Sequence, residues 1–181
     1  MPRIIAVIFV LILTLNVCFG SEGDDQTHSF FKVYTSLCLE NILNLEVFRQ
    51  KMKLMPKLPP EQAAMFLAGY PGDAWPIPDK NGKFVLTLPI GKSFCAVHAR
   101  KASTETAIKF FTELFATPPA PITAKQVKNE QAQTDLNGKI QTISYELSLP
   151  KTARKMLLTL TTASSEFAQI QVFGSVSMIG Q

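Results

Sequence analysis

Three cysteines and two histidines are the whole supply of thiol and imidazole in this chain of 181 residues, and their spacing limits what they could do. Cys95 with His98 would be the pair for a thiolate nucleophile and its base. The two stand three apart in a segment that reads as a strand, so their side chains point to opposite faces of a sheet. Cys38 and Cys95 suit a structural disulfide better, because removal of a leader carrying Cys18 leaves them as an even pair in an oxidising compartment. A bridge closing 57 residues restricts the unfolded chain by about 4 kcal/mol in the entropy model. His28 and His98 belong to no HExxH or CxxC spacing, so no metal site and no cofactor are expected. There is no GxSxG elbow for a serine nucleophile, and no catalytic residue is assigned. The remaining chemical option is a carboxylate pair: Asp73 and Asp79 flank Trp75 and would serve a hydrolase if a loop brought them face to face.

Two stretches could bind rather than react. Residues 69–78, GYPGDAWPIP, hold the single tryptophan between prolines and glycines, and as a loop they would present Tyr70, Asp73 and Trp75 to a protein partner. The plainer alternative is that Trp75 plugs the edge of the core. Arg49, Lys51, Lys53 and Lys57 form a basic group near Met52, Leu54 and Met55, which could touch an anionic membrane. At roughly 1 kcal/mol per basic residue such an attachment is weak, and ordinary solubilising charge is the alternative. Nucleic acid is not an expected partner: the chain carries a formal charge of only +4, and no basic and aromatic recognition signature is present.

Elements must position these groups, and the first is a leader. Arg3 precedes twelve uncharged apolar residues, 4–15, and Asn16 to Gly20 follow, which is the layout of a signal peptide. The run is shorter than the roughly 20 residues of a bilayer-spanning helix. Cleavage is expected after Gly20, with Cys18 and Gly20 as the small residues at the cut. Lipid attachment at Cys18 is the lesser alternative, because the branched Val17 stands where a lipidation signal has a small residue. The expected destination is the periplasm or the extracellular space.

Residues 21–28 are short, polar and acidic and read as a flexible lead to one domain over 29–181. From Ser29, Phe31, Tyr34, Cys38, Ile42, Leu45, Phe48, Met52 and Met55 recur at three and four, which predicts one long helix ended by Pro56. A short helix is expected after Pro59 and Pro60 and ends at Gly69. Residues 79–83, DKNGK, read as a hairpin tip, with strands around Phe84 to Leu88 and Cys95 to Ala99. Ser103 caps a helix running to 117. Strands follow over 126–136, 140–149, 156–162 and 168–178, with a turn at Asn137 and Gly138. Strands with one apolar and one polar face predict an α+β, two-layer domain: a mostly antiparallel sheet of six or seven strands with helices packed on one face.

The cysteine near the start of the first helix, LPPEQAAMFLAGYPGDAW, the block NGKFVLTLPIGKSFCAVHAR and the later alternating strands together resemble a family of small exported bacterial proteins and lipoproteins of unassigned function. The resemblance spans about residues 30–178. It implies an envelope or secreted setting and brings no catalytic residues. The reading that follows is an exported, non-enzymatic binding or accessory protein with a protein partner. The alternatives are a secreted carboxylate hydrolase and an effector that binds anionic membranes.

Overall fold

The computed structural model describes residues 22–148, 150 and 153–180, so the leader and Cys18 lie outside the described residues. Seven strands follow from the alternation: β1 Gly72–Asp79, β2 Gly82–Pro89, β3 Phe94–Ala99, β4 Thr123–Thr134, β5 Gly138–Ser148, β6 Lys155–Ala163 and β7 Val172–Ile179. They form one sheet in the order β1-β2-β3-β7-β6-β5-β4, and every neighbouring pair is antiparallel. Asp79 faces Gly82 across a two-residue turn, and the β4–β5 hairpin reverses around Asn137 with Gly138 at a positive φ of 67°. The second turn uses a glycine for its left-handed position.

One face of this sheet is apolar from β1 to β5. Phe84, Leu86 and Leu88 of β2, Cys95 and Val97 of β3, Val172 and Val176 of β7, Leu158 and Leu160 of β6 and Ile143 and Tyr145 of β5 share a single core. Above it lie helix α1 (Glu22–Val33), a π-helical turn Tyr34–Leu39, helix α2 (Leu45–Met52) and helix α4 (Thr104–Phe115). Phe30 and Tyr34 come from the first two and Phe111 and Phe115 from α4, all essentially removed from water. Each such ring contributes about 1.5–3 kcal/mol through burial. Gly174 makes room for one of them, since a Cβ there would lie 2.8 Å from the Phe30 ring. The Tyr34 hydroxyl donates to the Ser175 carbonyl at 2.8 Å, which satisfies the one polar atom of that ring.

The sulfurs of Cys38 and Cys95 are bonded, with Cα atoms 5.4 Å apart, and tie the π-helical turn to the central strand β3. This is the expected clasp between helix and strand. The α+β architecture and the antiparallel sheet also agree with expectation, whereas several elements differ.

The polar segment is not irregular where it is described. Residues from Glu22 onward are helical, with Gln26 and Thr27 buried. Thr27 donates to the carbonyls of Gly23 and Ser103, Ser29 to the Asp79 carboxylate at 2.7 Å, and Thr106 to Asp24. Its polar side chains are thus spent on distant segments that local composition does not reveal.

The single long helix is broken at 40–44, where the Asn41 amide donates to the carbonyls of Ser36 and Leu37 and closes the π-helical turn. The stripe of apolar residues continues across the break because the kinked segments still pack on one face.

Finally, helix α3 (Pro60–Leu67) lies across the other face of the sheet. Ala63 and Leu67 pack there with Ala74 and Val85 in a second small cluster. Helices therefore cover both faces, the second only at the β1–β2 edge.

Candidate functional site

The face opposite the main core carries Thr87, Phe94, Ala96, His98, Thr161, Phe173, Ser175 and Ser177, the alternate residues of β2, β3, β6 and β7. At one end α3 and the turn after it rise over this face. At the other stand the β4–β5 turn, with Leu136 and Ile140, and the connection before β7, with Ile170. Between these walls is a cavity of about 860 Å³. That volume lies within the range of small-molecule sites. Its rim is greasy: Met65, Tyr70 and Leu136 line it and are about half exposed or more. The α3 wall ends in two successive left-handed residues, Ala68 at φ 48° and Gly69 at φ 82°, which turn the chain into Tyr70.

His98 is the polar centre of the floor and is 5% exposed. Its ring is held edge to face with Phe66 of α3 at 5.2 Å and tilted against Phe173 of β7 at 4.9 Å. Nε2 is 3.2 Å from the Thr87 hydroxyl, which in turn reaches the Ala96 carbonyl at 3.5 Å. The Thr87 hydroxyl stands between Nε2 and the Ala96 carbonyl and has one hydrogen to give, so the one it donates to sets which ring nitrogen carries the proton. Nδ1 has no protein partner. Burial disfavours the charged ring and pushes the His98 pKa down to about 3, so the imidazole is neutral at physiological pH.

The residues singled out from sequence have other places. Trp75 is fully buried in β1 on the main-core face, so it cannot be presented to a partner, and residues 72–79 are an edge strand rather than a loop. Pro76 and Pro78 are tolerated there because an edge strand leaves alternate N–H positions unpaired. Asp73 and Asp79 stand at opposite ends of β1, paired with Leu88 and Gly82, so they do not form a carboxylate pair. Tyr70 does remain exposed, on the rim of the cavity, with the Lys92 ammonium 5.4 Å from its ring centre.

The basic group is divided. Arg49 donates to Asp73 at 2.9 Å and to the carbonyls of Leu88 and Pro89, and its side chain is only 13% exposed. Lys57 binds the other Asp73 oxygen at 2.7 Å and covers the Trp75 ring. Arg49 is used inside the fold, while Lys57 pairs with Asp73 yet is 42% exposed and faces solvent with Lys51 and Lys53. Partial burial raises the Asp73 pKa, but hydrogen bonds and charge from Lys57 and Arg49 outweigh it and hold the carboxyl below its usual range.

Sequence reasoning placed His98 correctly on the face away from Cys95 but passed over Phe66, Thr87 and Phe173. A signal existed: Phe94, His98 and Phe173 are large residues at the polar positions of their strands, where Ser and Thr are their neighbours. His28, the second histidine, lies on α1 against Phe110 at 4.5 Å and has no part in the cavity. Among the described residues no three His, Cys, Asp or Glu side chains converge as metal ligands, and no helix is long and apolar enough to cross a membrane. No protein-family model matches the chain, and no curated protein matches it.

Proposed function

We propose that this is an exported, non-enzymatic binding protein whose ligand seat is the cavity on the open face of the sheet. The observation that carries the reading is the cavity itself: an 860 Å³ space walled by α3, floored by Phe94, His98 and Phe173, and rimmed by exposed apolar side chains. Exposed apolar residues gathered around a concavity mark a binding surface more often than scattered ones do. A catalytic reading has less support, since a histidine whose basicity is suppressed this far is a poor general base near neutrality. Export is supported by the leader's layout, by the buried Cys38–Cys95 bridge, and by the resemblance to small exported bacterial proteins.

The test uses the neutral apolar dye N-phenyl-1-naphthylamine and the protein recovered from the periplasm of a bacterial host. Mass spectrometry should find the chain beginning at Ser21, and the dye should bind with one-to-one saturation. Ser177→Phe places a ring on the cavity floor and should weaken the dye at least tenfold, while an unchanged melting temperature shows an intact fold. Equal dye binding by wild type and Ser177→Phe would remove the cavity as the seat, and an uncut leader in the cytosol would remove export.

A further inference from the structure

From the hydrogen bonding around His98 we infer that the cavity takes an apolar, uncharged ligand carrying one hydrogen-bond donor, a phenol or alcohol hydroxyl, which is received by Nδ1 of His98. The inference rests on the cavity being a ligand seat and adds the chemistry of what it selects. The walls fix the ligand's body: Met65, Phe66, Phe94, Ile140, Ile170 and Phe173 offer carbon to it. The floor fixes its head. In the tautomer this inference takes, Thr87 donates to the Ala96 carbonyl and accepts from Nε2–H, so Nδ1 is the acceptor. Nδ1 is buried with no protein partner, and an unsatisfied buried polar atom is a costly feature to keep. A ligand hydroxyl removes that deficit, whereas an alkyl group leaves it and a carboxylate adds a second acceptor facing the first. Phe66 covers His98 from α3 and is half-buried, so its ring is the part that moves aside to uncover Nδ1. Lys92 is the competing site for an anionic head, but it lies at the rim over Tyr70, and a carboxylate held there leaves Nδ1 unmatched. Thr87 is a positioning residue in this scheme: it fixes which nitrogen carries the proton.

Three matched probes separate these chemistries: para-butylphenol, butylbenzene and para-butylbenzoate, titrated calorimetrically into the mature, oxidised protein. The phenol should bind at least tenfold more tightly than butylbenzene, and the benzoate more weakly than either. His98→Phe keeps an aromatic ring between Phe66 and Phe173 and should bind phenol and butylbenzene alike. Thr87→Val should reduce the preference without abolishing butylbenzene binding. With ¹⁵N-labelled histidine, the Nδ1 resonance of His98 should move on adding the phenol and stay in place with butylbenzene. His98→Phe removes that signal and so assigns it. If phenol and butylbenzene bind wild type equally, or the benzoate binds most tightly, the selected chemistry is wrong while the cavity stands as a seat. If none of the three binds, the seat itself is refuted and the inference goes with it.

Discussion

His98 is the residue at which stability and site meet. Its folded pKa of about 3 lies below the value near 6.5 of an unfolded histidine, so between these limits the unfolded chain binds more protons than the folded one. Stability therefore falls as pH drops through 6.5 and goes on falling toward 3. Urea denaturation at pH 7 and pH 5 should differ by about 2 kcal/mol from this group, and His98→Leu should remove that share of the difference. Asp73 acts in the same direction at lower pH. Its depressed pKa gives stability that is present above about 4, the unfolded value, and lost below it. Arg49 is the structural counterpart of this carboxylate. Arg49→Ala leaves the Asp73 carboxylate with Lys57 alone and strands two strand-end carbonyls, and should cost about 2–3 kcal/mol in denaturant unfolding, whereas Lys51→Ala should change little.

At the scale of elements, the π-helical turn and β3 are joined covalently, and the rest of the helical layer is held by packing. Converting Cys38 and Cys95 together to alanine should lower the free energy of unfolding by about 4 kcal/mol, checked by comparing urea midpoints of oxidised, reduced and double-variant protein. Much of this layer was legible beforehand: the cysteine on the apolar stripe, the Ser103 cap that accepts from the Thr106 N–H, and the alternation of β5 and β7 all led to the observed elements. The failures have one cause. The 22–28 segment reads as a lead from its polarity, yet its side chains bond to Asn81 and Ser103. The 69–78 stretch reads as a loop from its prolines, yet the sheet edge accepts them. For the first segment the partners Asn81 and Ser103 are 55 and 76 residues away; for the second the deciding fact is a place at the edge of the seven-stranded sheet, which local composition does not show either.

For the molecule as a whole, the sheet is unevenly supported. β3 and β7 are central, bridged to the helical layer and buried on the core side, whereas β4 has no buried residue along its length. Native-state hydrogen exchange should be slowest for amides of β3 and β7, approaching the global unfolding free energy, and faster by several orders of magnitude for the outer half of the β4–β5 hairpin, residues 128–141. The same asymmetry leaves the cavity at the open end of the second face, where α3 supplies the only helical wall among the described residues.

The chain's own residues determined which side chains share a face, where the hairpins reverse and which cysteines pair. These follow from period-two alternation, turn chemistry and residue counts, all of them local or additive properties. Only the tertiary structure decided that Trp75 is core, that Arg49 and Lys57 pair with Asp73, and that Phe66 comes to lie on His98. Those outcomes depend on which distant segment reaches a given side chain first and which face a short helix covers, and alternation along a strand is blind to both.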